Sequence, residues 1–314
     1  MSNCVARRVD TVHGRSRRSV MARRGRGALR SRLDGRVLVH VQRIAAFSNG
    51  DTGGNPAGVV IADQLPARHD MQRIAREVGF SETAFASRAG DRWRVRYFSP
   101  EAEVPFCGHA TIALGAALAT REGDGVFALQ LDAGEISVEG RRDGARVAAA
   151  LQSPPTRSGP ASPGQVAAAL DLFGWAASDV DERIAPACAH AGADHFVLML
   201  KDRATLAAMR YDFARGQALM REQGWVTILL GHAETPQRFH TRNPFAYGGV
   251  YEDPATGAST AALAGHLRDI GWPHGGHIDV HQGDDMGEPS RLRAEITASS
   301  PGASIRVSGT ARFM

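Results

Sequence analysis

Three short stretches carry the residue types that acid/base chemistry needs. "GFSETAF" holds Ser81 and Glu82, "VPFCGHATIALGAAL" holds Cys107, Gly108 and His109, and "EDPATGASTAALAGHL" holds Asp253, Thr256, Gly257 and Ser259. Proton transfer requires a group titrating near neutrality or a carboxyl desolvated by its surroundings. Glu82, with Phe80, Ala84 and Phe85 around it, His109 and Asp253 meet that description. Glu252 and Asp253 are adjacent, so one of them faces a common site, and Asp253 is the choice because it begins the helix motif. Cys107 and His109 read three ways at this point: a nucleophile with its base, two ligands of a metal, or residues at the lip of a buried helix.

The second and third stretches echo one another. "CGHATIALGAALAT" (107–120) and "DPATGASTAALAGHL" (253–267) each set Gly, Ala and Thr before a run of small residues. A helix made of such residues buries little side chain of its own and is best explained as a central helix wrapped closely by other backbone. Its N-terminus exposes unpaired N–H groups and the positive end of the helix dipole, which attract a carboxylate. Two such ends facing one cleft would put Gly108–Thr111 and Thr256–Ser259 on opposite sides of one small acid. The competing reading is ordinary capping, with Thr111 or Asp253 satisfying its own helix.

Other chemistry is less well supported. A racemase working through two thiols needs a second cysteine, and "DPATG" has none, so Cys107 reads as a small buried apolar residue. His274, His277 and His281 lie in "HGGHIDVH", where His277, Asp279 and His281 would share one strand face as a metal edge. The Gly-rich approach favours a surface loop instead, and no metal is expected. "GDTGGNPAG" has no Lys followed by Ser or Thr in the register of a phosphate-binding loop.

These residues must be positioned by regular elements. Residues 37–47, 57–63 and 92–99 read as strands, and 69–80 as an amphipathic helix starting near Asp70, with Met71, Ile74, Ala75 and Val78 on one face. Short strands at 126–131, 135–139 and 146–151 follow. "QSPPTRSGPASPG" (152–164) reads as an interdomain linker. Beyond it a helix (165–173), a strand (195–200), helices near 203–209 and 213–222, and strands at 225–230, 277–282, 291–297 and 304–309 restart the pattern.

A chain of 314 residues, 43% apolar, suffices for one large domain or two ordinary ones. Its charge is unevenly placed: residues 1–36 hold eleven arginines against Asp10 and Asp34, a net +9, and the remainder is a net −5. We expect 1–36 to be a disordered basic extension, because it has too little apolar surface to fold alone. Only Lys201 is a lysine, so the arginines reflect a compositional bias more than a selected basic patch, and no nucleic-acid partner is expected. No stretch reads as a bilayer span, so no membrane association is expected. Three cysteines without CxxC spacing fit a reducing cytoplasm.

Taken in order, "GNPAGVV" (54–60), "MQRIARE", "FSETAF" (80–85), "RYFSPEAEVPFCGHAT" (96–111), "EDPATG" (252–257) and "HQGDDMGEPSRL" (281–292) resemble the phenazine biosynthesis PhzF-like isomerase family over roughly residues 38–310. The resemblance implies an α+β fold like that of diaminopimelate epimerase: two pseudo-symmetric domains, 37–152 and 165–314, each a curved mixed sheet around a central helix. The last strand could return to the first domain. It implies a cofactor-independent isomerase that shifts or epimerises a proton next to a carboxylate or conjugated system of a small acid. Glu82 would be the acid/base, His109 and Asp253 its polar partners, and Asn55, Ser81, Gly108, Thr256, Gly257 and Ser259 would hold substrate. A homodimer is compatible with the family. A non-catalytic acid-binding protein on the same fold is the alternative. One departure stands out: Ala258 follows "DPATG" where family members commonly carry Ser.

Overall fold

The structure, a computed structural model, describes residues 28–33, 37–132, 134–144, 146–297 and 300–314. The first half runs β1 (Ala28–Leu33), β2 (Val37–Ala46), β3 (Asn55–Ala62), α1 (Arg68–Val78), β4 (Thr83–Ala89), β5 (Arg92–Phe98), β6 (Glu103–Val104), α2 (Gly108–Glu122), β7 (Gly125–Gln130), β8 (Glu135–Asp143) and β9 (Arg146–Gln152). The second runs β10 (Arg157–Pro160), α3 (Pro163–Phe173), β11 (Ala187–His190), β12 (Asp194–Met199), α4 (Arg203–Ala207), α5 (Phe213–Gln223), β13 (Thr227–Ala233), β14 (Arg238–Phe245), β15 (Val250–Asp253), α6 (Gly257–Asp269), β16 (His277–Gln282), β17 (Ser290–Glu295) and β18 (Arg306–Phe313).

Strand pairing closes the first half on itself. β2 pairs with β3, β3 with β4, β4 with β5, β5 with β7, β7 with β8, β8 with β9, β9 with β18, and β18 with β2. The β3–β4 and β5–β7 pairs are parallel, so the sheet is mixed. Inside it lies α2, with His109 to Ala119 all buried. Ala, Gly and Thr are required here because the sheet comes very close: a Cβ on Gly140 of β8 would sit 2.3 Å from the Gly115 carbonyl oxygen of α2. The second half repeats the plan. β10, β11, β12, β13, β14, β16, β17 and β18 follow one another by pairing, with β12–β13 and β14–β16 parallel, and α6 packs inside against β10, β11, β12, β16, β17 and β18.

β18 joins the halves. One edge pairs with β9 over Arg306–Ala311; the other pairs with β17 over Arg306–Ser308 and with β2 over Ala311–Phe313. At this divide Phe47 adopts φ 60°, a left-handed conformation that costs a non-glycine residue about 1–2 kcal/mol. Its carbonyl accepts the Arg291 N–H, and its buried ring packs in one cluster with Ile112 of α2 and Ala255 and Ala261 of the other half.

Several expectations need correcting. The expected linker is partly regular: β10 lies within it and pairs with β11, and Thr156 is buried against α6, bonded by Arg268. Local Pro, Ser and Gly content does not reveal that a neighbouring edge strand was available for pairing. Within the expected disordered head, Ala28–Leu33 form β1, antiparallel to β2, whose open edge supplies the backbone partners; residues 1–27 and 34–36 lie outside the described residues. α1 begins at Arg68, not at Asp70, whose carboxylate instead bonds Arg73 in the first turn. Seven strands have no counterpart among the expected ones, β1, β4, β6, β10, β11, β14 and β15, and β6 and β15 are too short to show a period.

Candidate active site

Both central helices begin at the same cleft. Gly108 of α2 and Gly257 and Ala258 of α6 line one apolar slot of about 30 Å³, with Phe47, Phe106, Leu151, Pro154 and Val307 among its other walls. Neither helix has a side-chain cap, whereas α3, α4 and α5 are capped by Ser162, Asp202 and Asp212. The capping alternative therefore fails for the two residues that raised it. Thr111 Oγ1 donates to the Cys107 carbonyl and meets the Tyr97 hydroxyl, and Asp253 accepts from side chains instead of from helix N–H groups. A Cβ built on Gly108 would meet nothing within 4 Å, so the front of α2 is open to a ligand.

At the α2 end three side chains converge. Glu82 directly precedes β4, and its Oε2 lies 3.4 Å from His109 Nε2; the two side chains are 18% and 9% exposed. Ser81 Oγ is 3.3 Å from the same nitrogen, and the Cys107 thiol is 3.4 Å from His109 Nδ1. An acid and an imidazole sharing a half-desolvated space can exchange a proton with each other and with a bound molecule. Glu82, Cys107 and His109 also offer donor atoms all within 4.8 Å of one another. Burial first, then the charge of Glu82, pushes the Cys107 thiol well above its usual range and holds it protonated.

The α6 end is built for rigidity. Asp253 closes β15; its Oδ1 accepts from Asn55 Nδ2 at 2.7 Å and its Oδ2 from Thr256 Oγ1 at 2.6 Å. Burial, opposed by His109 and by the bond from Thr256 and reinforced by Glu82, raises the Asp253 carboxyl from 3.8 to about 6. Glu252 turns the other way into a buried pair with Arg242, as alternation along a strand demands. Gln282 escaped notice within its motif. Fully buried, it donates to the Asp253 carbonyl at 2.7 Å and to Thr256 Oγ1 at 3.0 Å, and accepts the Thr256 N–H at 3.1 Å. Its sequence signal is the two-residue period of β16, which puts the amide at the end of the strand on the face that Ile278 and Val280 bury.

Three residues expected to hold substrate take other positions. Asn55 is 2% exposed and uses its Nδ2 on Asp253 and the Ala255 carbonyl, so it ties the two halves together. The Thr256 hydroxyl is spent on Asp253. Ser259 is fully buried and donates back to the Thr256 carbonyl, because the turn of the helix directs Ala258 to the slot and Ser259 away from it. Gly108, Gly257, Ser81, Glu82, His109 and Asp253 do gather at the cleft. The strand-face alternative of His277, Asp279 and His281, set aside in the sequence, does not form a three-donor group among the described residues, where His281 instead meets His240 and Asp284. His277 Nε2 lies 3.8 Å from Asp279 Oδ2, and Asp279 is paired with Arg293. A wider pocket, about 530 Å³ and lined by Arg141, Arg293 and Arg306 among others, includes none of the cleft residues.

The geometry has counterparts. A family model described as phenazine biosynthesis-like protein matches residues 44–314. Over 284 residues the chain is 35% identical to a trans-2,3-dihydro-3-hydroxyanthranilate isomerase of Pseudomonas aeruginosa, covering 85% of this chain and 94% of that relative. A PhzF-family phenazine biosynthesis protein of Bacillus anthracis superposes with a TM-score of 0.75 at 23% identity, over 88% of this chain and 97% of the other. A probable proline racemase of Agrobacterium radiobacter shares the fold at a TM-score of 0.55 and 13% identity, over 88% and 91% of the two chains. The fold is thus diaminopimelate epimerase-like, α+β with two similar halves, and among the described residues no helix is long and apolar enough to cross a membrane. With two sheets each wrapped on a small-residue helix, and an acid and an imidazole where those helices meet, the chain belongs to the PhzF-like family of isomerases.

Proposed function

We propose that the protein shifts or epimerises a proton next to a carboxylate or conjugated system of a small acid, with Glu82 as the acid/base. The observation that carries this reading is the placing of Glu82 and His109, 3.4 Å apart, beside two uncapped helix N-termini that line one slot. The substrate carboxylate lies against the first-turn N–H groups, whose dipoles also stabilise the charge that develops as the proton leaves. Glu82 takes the proton and returns it to another position, with His109 and Ser81 keeping its carboxyl oriented and Asp253 on the facing wall. The lobes 37–152 and 165–314 form the two walls and exclude water from the proton in transit. No cofactor takes part in this scheme.

The named reaction of the Pseudomonas relative, isomerisation of a dihydro-hydroxyanthranilate, is of this class. Here Ala258 gives the slot an apolar wall where a hydroxyl is common in the family, so the substrate turns an apolar edge toward α6. The test is solvent-deuterium exchange into cyclic and amino carboxylic acids, run in parallel on the wild type and Glu82→Gln. Exchange by the wild type alone is expected. Equal exchange by both removes Glu82 from the mechanism, and tight binding without exchange by the wild type converts the protein to an acid-binding module.

A further inference from the structure

A second cluster lies on the outer side of the second half. His240 of β14 and His281 of β16 are direct partners in a parallel ladder, so both side chains stand on one face, with ring centroids 5.3 Å apart and edge to face. Asp284, in the turn after β16, joins them: one donor atom from each of the three lies within 4.8 Å of the others. We infer that His240, His281 and Asp284 bind a divalent transition ion of the zinc class.

The surroundings are those of a ligand set. His240 Nε2 meets Glu234 Oε2 at 2.7 Å, which fixes the proton on Nε2 and leaves the lone pair on Nδ1. That Nδ1 is buried and has no hydrogen-bond partner among the described residues. A carboxylate behind the far nitrogen of a histidine is the usual support of a metal-binding imidazole. Asp284 is held by Arg291 through both oxygens, at 2.9 and 3.2 Å, so it is oriented before any ion arrives. Glu234 is paired with Arg238 as Asp284 is with Arg291, so the guanidinium charges are balanced. Two imidazoles and one carboxylate suit zinc, cobalt or nickel and leave a fourth position for water; that position is reachable, Asp284 being 30% exposed. His281 is followed by Gln282, which clamps Asp253 and Thr256, so a bound ion would fasten the segment that holds the α6 wall of the cleft.

The full chain, stripped with chelator, is titrated with zinc chloride by calorimetry and with cobalt chloride by visible absorption. One equivalent should bind, with d–d bands of nitrogen and oxygen ligation and no thiolate charge-transfer band, and zinc should raise the melting temperature. His281→Asn and Asp284→Asn should each abolish the site or weaken it at least tenfold. Glu234→Gln, which leaves all three ligands in place, should weaken it by about tenfold. Absence of saturable binding overturns the assignment. So does binding that is unchanged in both ligand variants, or a charge-transfer band lost in Cys107→Ala, which would put the ion in the cleft.

Discussion

In the proposed mechanism the N-termini of α2 and α6 are one device built twice and then given different tasks. At α2 the groups that can carry a proton stand in or beside the first turn: His109 within the helix, Glu82 at 3.4 Å and Ser81 at 3.3 Å from its Nε2. At α6 the first turn holds Gly257, Ala258 and an inward-facing Ser259, and the one acid, Asp253, precedes the helix and is bonded by Asn55 and Thr256. A mobile proton needs a carrier free to change partners, and a fixed anion cradle needs the opposite. The number of hydrogen bonds each acid already accepts separates the two roles.

Exchange kinetics test this division most sharply. Glu82→Gln should lower the rate of solvent-deuterium exchange about a thousandfold, within the range for loss of a general acid/base. Asp253→Asn should lower it about tenfold, and a larger loss there than at Glu82 would exchange the two roles. The second effect is on stability. Asp253 is raised from 3.8 to about 6, so the folded chain binds that proton more tightly than the unfolded chain does. The resulting stabilisation is complete below pH 3.8, is lost as pH rises through about 6, and amounts to roughly 3 kcal/mol. Urea unfolding of wild type and Asp253→Asn across this window should show a gap that changes with pH; a constant gap contradicts the shift.

Packing of the two helices should differ as well. Gly140→Ala would place a Cβ 2.3 Å from the α2 backbone, and Gly265→Ala 2.7 Å from the side chain of Thr156 in a loop. The first should cost about 3 kcal/mol. The second should cost about 1 kcal/mol, because the loop can yield and alanine favours the helix. Equal losses in thermal unfolding would mean that the Thr156 loop holds α6 as rigidly as β8 holds α2. The smallest effect belongs to Ala258→Ser, which adds a hydroxyl to the slot. KM for a carboxylic acid should fall a few-fold, by about 1 kcal/mol, with kcat little changed; a drop in kcat alone would show that the slot accommodates the reacting part of the substrate.

Much of the architecture was legible because its signals are local. Alternation in "RWRVRYF" marks a half-buried strand, and the Gly and Ala runs of 107–120 and 253–267 mark helices that other backbone approaches closely. β10 and β1 were hidden because their residues have no strong preference of their own; each is a strand by virtue of the edge it meets. The cleft was legible as residue types and only partly as roles. Ser259 and Thr256 look like substrate hydroxyls in the sequence, yet helix phase buries one and Asp253 occupies the other.

Sequence alone offered Glu82, His109 and Asp253 as candidate proton carriers and two small-residue helices to present their N-termini, since both follow from residue type and order. The fold decided which N–H groups remain uncapped, that Asn55 and Gln282 hold Asp253, and that His281 meets His240 and Asp284 instead of its neighbours on the strand. Those outcomes depend on contacts between residues up to about 200 positions apart, and direction and distance across such a span are set only when the sheets close.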